Sequence, residues 1–431
     1  VSARRTSPVR AGDGGGTADA AGTREGVEEL ARAATQAVVD AALHDGGRVG
    51  WVTWSRSDAV STSLQVAGPE VYDGDAGVAW ALSLLAPLLP DPEEALGLAR
   101  ATVAAPTRAP GTPGLLDGAA GVALVRAALT GEPATAPAPG SLTGSSDHLD
   151  GLSGLLLATV GLGASSRETD AVGRALLDCG RADGEGWCHP GPPDGQGEAA
   201  RPLTGLAHGS SGVLLALAHW LASDPAPALA SAARERFLRT WLWESAWVDR
   251  VLGWPDLRDD PPAYPVLWCH GAAGVTAVRL ELGRLAEAGV DLGVPATALR
   301  SQADAGLLLC REQVGLSAEA ARRQLAEAGP ASVRLDPHDA GLTLCHGLGG
   351  PVDVLAWAAA HGDTEHLEAT RAAVLQVAGL LGEDPHLWPT GQRTRGGYGL
   401  FQGLSGTALV LARLARPELG LPSPGLFGVP V

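Results

Sequence analysis

Methionine is missing from all 431 residues, position 1 included, so Val1 is either an alternative start codon written literally or the cut end of a longer protein. No uninterrupted apolar run approaches the roughly 18 residues of a membrane-spanning helix. No apolar h-region follows Arg4, Arg5 and Arg10, so no secretory signal is visible. Positive charge is scarce: 31 Lys and Arg stand against 48 Asp and Glu, a formal net charge of −17. Nucleic acid or an anionic membrane would repel a chain of that sign, so neither is expected as its main partner. Cysteine is sparse, odd in number and scattered (Cys179, Cys188, Cys269, Cys310, Cys345), which excludes a disulfide framework and makes a reducing cytoplasm the expected compartment.

What is abundant is glycine, and it is ordered. A frame of a small or polar residue followed by Gly-x-x-Gly recurs seven times: Asp73–Gly77, Asp117–Gly121, Asp150–Gly154, His208–Gly212, His270–Gly274, His346–Gly350 and Gln402–Gly406. Each frame leads into a segment of helical length that is apolar nearly all round, as a helix buried on most faces would be. These segments are 78–89, 122–129, 155–162, 213–221, 275–285, 352–360 and 407–415. Residues 92–105, 167–179, 227–244, 295–314 and 366–381 instead carry charge on one face, as outer helices would. Residues 23–44 add a further amphipathic helix. No inner and outer pair could bury its apolar face alone, so the fold expected is an all-α, α/α toroid, a double-layered barrel of seven inner and six or seven outer helices. Residues 1–22 read as a disordered arm before a toroid domain over 23–431. Pro133, Pro137 and Pro139 predict a loop across 134–142 in place of the third outer helix. A charged stretch over 316–328 reads as an added surface helix.

Two frames open on Cys-His-Gly. Zinc is held by thiolates and imidazoles, and a catalytic zinc keeps three protein ligands with one position open. Cys269, Cys345 and His346 supply that count, with His270 read as a lining residue because chelation of one ion by two adjacent residues is strained. Trp187-Cys188-His189-Pro190 imitates the motif in a Pro/Gly setting and reads as a surface or pocket-rim segment. Cys179 and Cys310 read as core residues, and His338 and His386 as loop histidines. Asp73 and Asp117 read as helix N-caps, and Trp241, Trp243, Trp247 and Trp254 as packing.

The seven frames and both Cys-His-Gly sequences together resemble the lanthionine synthetase C-like family, and the likeness runs from about Val71 to the C-terminus. Trp268-Cys269-His270-Gly271 looks most like the cyclase domains of class II and IV lanthipeptide synthetases, although no dehydratase or kinase precedes it here. The resemblance implies a zinc-dependent cyclase in which a peptide cysteine adds to a dehydroalanine or dehydrobutyrine to close a thioether ring. It assigns Cys269, Cys345 and His346 to zinc, His208 to acid–base work and Asp147 to its support, with Asp150 a nearby decoy and His270 in the catalytic lining. The arginine that the family places four residues before its first zinc cysteine is replaced by Pro265, leaving Arg258 as a distant candidate. The implied partners are a dehydrated precursor peptide and a separate or formerly fused dehydratase. Two alternatives carry less: a prenyltransferase-like zinc toroid, and a silent toroid that scaffolds partner enzymes.

Overall fold

The computed structural model describes residues 20–56, 62–104, 111–137, 145–191, 201–258, 260–328, 341–391 and 394–430. The glycine frames organise it. In six of the seven, the first glycine is the N-cap of the inner helix that follows. These helices are α2 (Asp75–Leu85), α4 (Ala119–Thr130), α5 (Leu152–Gly161), α7 (Ser210–Ala222), α9 (Ala272–Glu287) and α13 (Leu404–Ala415), while α11 (Gly349–Ala360) begins one residue after its cap, Leu348. The second glycine lies within the first helical turn, against the carbonyl six residues upstream. A methyl group on Gly77, Gly121, Gly154, Gly274 or Gly406 would overlap the carbonyl oxygen of Val71, Leu115, His148, Trp268 or Leu400. The repeat is therefore a steric requirement: the loop folds back so tightly over the helix start that no Cβ fits.

The seven inner helices pack each on the next, α2 on α4, α5, α7, α9, α11 and α13, and α13 returns to α2. The chain is thus an α/α toroid with a closed inner ring. Backbone hydrogen bonds stitch the frames at one end: Phe401 N–H to Tyr72 O (2.9 Å), Tyr72 to Leu116 (2.9 Å), Leu116 to Leu149 (2.7 Å), Ala207 to Cys269 (3.2 Å) and Cys345 to Phe401 (2.9 Å). Six outer helices cover the ring among the described residues: α1 (Ala20–Asp40), α3 (Pro92–Ala104), α6 (Ser166–Asp178), α8 (Pro227–Ala246), α10 (Ala296–Ala328) and α12 (Leu367–Leu381). The sequence of α6 shows how such a helix is fixed: Ser165 and Glu168 form a reciprocal capping box at its start.

Where the expected third outer helix fails, α4 ends on Gly131 in the left-handed region and residues 131–137 are non-helical; the rest of that segment lies outside the described residues. Two expectations shift. First, α1 begins at Ala20 and stops at Asp40; His44 instead enters a hairpin of β1 (Leu43–Asp45) and β2 (Arg48–Gly50), whose two-residue turn, Gly46-Gly47, has both φ angles positive (54° and 87°). Second, residues 316–328 form no separate helix. They continue α10, because the only breaker between them and the preceding turn is Gly315, which costs a helix about 1 kcal/mol without ending it. Past the first hairpin a second one forms, β3 (Val52–Arg56) with β4 (Thr62–Val66), and buried Trp51 donates its indole N–H to Val38 O on α1 (2.8 Å).

Candidate metal centre

The residue just ahead of each frame forms one circle around the stitched end: Tyr72, Leu116, Leu149, Ala207, Cys269, Cys345 and Phe401. The N–H to O bonds through this circle shift by one residue at Ala207, whose oxygen accepts His148 N–H (3.1 Å), and are replaced by a side-chain link between Cys269 and Cys345. There Cys269 Sγ meets Cys345 O at 3.7 Å, so two thiols of adjacent repeats face one another across 76 residues of sequence. His346 follows directly, and the ligand atoms of Cys269, Cys345 and His346 all lie within 4.8 Å of one another. A tetrahedral zinc with its usual bond lengths spaces its ligands by roughly 3.5–4 Å, so these three fit one ion with slight contraction. Among the described residues no other group of His, Cys, Asp and Glu has such spacing.

The electrostatics suit a cation. The hydrogen bond from Cys345 holds the Cys269 thiol well below its ordinary range; burial opposes this, and the His346 ring adds to it. Burial pushes the Cys345 thiol up, as does its neighbour's charge, so the two sulfurs compete for one proton. Burial would lower the His346 pKa, yet the hydrogen bond to Cys269 raises it.

These residues open onto a cavity of about 310 Å³, lined also by Tyr72, His208, Asp256, Arg258, Pro265 and His270. His208 Nδ1 lies 2.5 Å from Asp147 Oδ2, and Asp147 is itself fixed because its other oxygen accepts the N–H groups of Leu149 (2.7 Å) and Asp150 (3.3 Å). Asp150 makes no such contact with the ring. Burial works to lower the His208 pKa, but the hydrogen bond and charge of Asp147 outweigh it and hold the value above the ordinary one. The loop carrying His208 is anchored from the outer layer. Buried Glu244 of α8 accepts Gly205 N–H (3.2 Å) and the Ser211 hydroxyl, and pairs with buried Arg279 of α9.

His270 lines the same cavity with its ring 5.7 Å from that of His208, and burial lowers its pKa. Its neighbour Gly271 has φ of +86°, a conformation glycine adopts without strain. That turn lets Pro265 O accept Ala272 N–H (3.0 Å), so the proline standing in the arginine position closes the loop that presents Cys269. Arg258, distant in sequence, is brought into the cavity wall, where Asp256 grips its guanidinium through both carboxylate oxygens.

Two sequence expectations are corrected here. Asp73 and Asp117 are not N-caps: Gly74 and Gly118 hold those positions without a side-chain cap bond, and Asp73 Oδ1 accepts Gln402 N–H (3.0 Å) from the neighbouring frame. Burial raises the Asp73 pKa to about 8 against the Gln402 bond, and burial and Asp150 raise that of Asp117 to about 7. The Trp187-Cys188-His189 segment is no surface loop. Cys188 and His189 are buried, and His189 Nε2 pairs with Thr240 Oγ1 (3.2 Å) of α8, because a hairpin of β5 (Arg181–Asp183) with β6 (Gly186–Cys188) tucks it inward. The expectations for Cys179, Cys310, Trp241, Trp243 and Trp254 as buried packing hold, whereas Trp247 is 43% exposed. His386 sits at a short turn with Nδ1 3.0 Å from Tyr398 OH, and His338 lies outside the described residues.

Sequence reasoning passed over Tyr72. Its hydroxyl lies 2.9 Å from Cys345 Sγ, and its place in the circle is the one that Cys269 and Cys345 hold in their own repeats.

An α/α ring that gathers two thiols and an imidazole at one mouth defines a class: a toroid with a site able to hold a metal ion. The chain belongs to the lanthionine synthetase C-like family, whose signature it matches over residues 72–427. Among solved structures it is similar in fold to nisin cyclase, with a TM-score of 0.53 at 16% identity, over 82% of this chain and 90% of that one. No curated protein matches it. No helix among the described residues is long and apolar enough to cross a membrane.

Proposed function

We propose that the protein is a zinc-dependent thioether cyclase acting on a dehydrated peptide. The observation that carries this reading is the convergence of Cys269, Cys345 and His346 on one point of a cavity into which His208 also opens. The three would hold the zinc, and a bound zinc supplies a thiol-binding position at which a peptide cysteine loses its proton near neutral pH. The peptide sulfur then forms a C–S bond to the β-carbon of a dehydroalanine or dehydrobutyrine, and the electron pair of the double bond moves onto the adjacent carbonyl as an enolate. Protonation of the α-carbon completes the ring, with no net change in atoms. In this reading protonated His208 gives that proton, and the contact of its Nδ1 with Asp147 supports the role by fixing the ring's orientation. Arg258 and His270 line the volume in which the enolate charge would develop. A dehydratase must act first, because the reaction consumes a dehydrated residue, and a reducing cytoplasm suits five free cysteines.

The test pairs metal analysis with incubation of a dehydrated, cysteine-containing peptide. The wild type should carry about one zinc per chain and remove free thiol from the peptide at unchanged mass, and Cys345→Ala should abolish both. A metal-replete protein that leaves the thiol count unchanged for dehydrated peptides of several sequences would sink the cyclase reading.

A further inference from the structure

A reaction site that holds a Michael acceptor beside zinc contains competing nucleophiles. Besides the peptide sulfur there are the protein's own thiolates. If Cys345 added to the β-carbon, a C–S bond would join protein to peptide, the enolate would take a proton and the product would be a dead covalent adduct. The geometry points to Tyr72 as the residue that prevents this, an inference that rests on the cyclase reading.

Tyr72 OH lies 2.9 Å from Cys345 Sγ, while Gln402 Nε2 donates to the same hydroxyl oxygen at 3.1 Å. A phenol has one proton, and with Gln402 donating into its oxygen, that proton is directed at the sulfur. The ring cannot swing away. It stacks on Phe401 with centroids 4.9 Å apart and planes 7° from parallel, and Phe401 in turn packs on Trp268 at 4.5 Å. Trp268 immediately precedes Cys269 and donates its indole N–H to Gly425 O (2.8 Å). Tyr72 also lines the cavity, so its hydroxyl stands where an acceptor would approach Cys345. A hydrogen bond to a thiolate draws charge from the sulfur and lowers its nucleophilicity. Tyr72 is thus a specificity-determining residue: it leaves the incoming peptide sulfur as the reactive one of the set. Cys269 has no such phenol: its side-chain hydrogen bonds are to Cys345 and His346, its two companions in the ligand set, so a change at Tyr72 removes none of them.

The experiment uses zinc-loaded wild type and Tyr72→Phe, with metal content measured first. Each is exposed to N-acetyl-dehydroalanine methyl ester, and adducts are located by peptide mass mapping. Tyr72→Phe should keep its zinc, while adduct formation at Cys345 accelerates by roughly tenfold, the worth of one charge-assisted hydrogen bond, and Cys269 serves as the unchanged reference. In the cobalt-substituted protein, the sulfur-to-metal charge-transfer band should move to lower energy in the variant. Equal Cys345 adduct rates and an unmoved band at equal metal content would overturn this inference and leave the cyclase reading standing. A wild type that takes up no metal would overturn the cyclase reading itself. Should Tyr72→Phe fail to fold, Gln402→Glu replaces it, because a carboxylate would draw the phenol proton away from the sulfur and expose Cys345 in the same way.

Discussion

His208 combines a polar partner with a wet outlook: Asp147 is buried, while the imidazole side chain keeps 28% of its surface in the cavity. Burial would favour the neutral ring, and the carboxylate reverses that, so His208 remains protonated to a higher pH than an ordinary histidine. The sign follows for stability and for rate. A folded pKa raised above the unfolded one contributes stability that is complete below the ordinary histidine pKa and is lost as pH rises through the raised value. If His208 delivers the enolate proton, ring closure should slow over that same rise. Asp147→Asn should shift the alkaline limb of the rate profile to lower pH with zinc content unchanged, and His208→Asn should remove the limb along with most of the rate. A limb that stays in place in Asp147→Asn would mean that another group sets it. Cys269, Cys345 and His346 could be singled out in the sequence because the paired Cys-His-Gly frames mark their register, and His208 and Asp147 through the family resemblance; the structure brings the first three within 4.8 Å of one another and joins the other two by a hydrogen bond. Tyr72 could not be singled out, since its kinship with the cysteines is positional and an aromatic before Asp-Gly reads as core. Asp73 and Asp117 were misread because Asp before a helix is ordinarily a cap, whereas here the tight fold of the loop gives the cap position to glycine.

Elements were legible to the extent that their periodicity is local. All seven inner helices follow from frame plus apolar run, and their starts differ from the sequence expectation by three residues or so because the frame glycines themselves lie in the first turn. The hairpins were not legible, since their strands are three to five residues long and carry no sustained alternation. The same distinction separates two kinds of glycine. Gly406 in α13 has the Leu400 carbonyl where a Cβ would stand, while Gly283 in α9 has open space around it. Gly406→Ala should therefore destabilise the protein by about 2 kcal/mol or more through overpacking, whereas Gly283→Ala should stabilise it by about 0.5–1 kcal/mol from helix propensity alone. Denaturant midpoints of the two variants measure both. Opposite signs are the content of the prediction, and two variants of equal stability would mean that the frames are not sterically enforced.

Across the whole molecule, closure ties the two chain ends together and to the site. Arg24 of α1 pairs with Glu418 near the other end, and α1 packs on α13, the inner helix that returns to α2. Beyond α13 the chain crosses the far end of the ring, where Phe427 meets Trp80 edge-on, Ser423 bonds Asp353 and Gly425 O holds the Trp268 indole. Asp353 also pairs with Arg413 in full burial, so this crossing segment completes the environment of a charged pair inside the ring. The sequence could announce a closed ring, because seven apolar helices have no other way to cover themselves. It could not announce the crossing, which depends on particular carbonyls and one indole. Deleting residues 421–430 should strip the cover from Trp268 and from the Asp353–Arg413 pair at once. The neighbour of Trp268 is Cys269, so zinc retention and helix content should fall together in a single thermal transition at lower temperature, without a step in which metal departs first. Thermal unfolding followed in parallel by circular dichroism and a zinc-responsive dye measures this. Metal release well before the loss of helix would show that the mouth of the ring melts on its own, and that its ligands are held by their loops and not by the closed ring behind them.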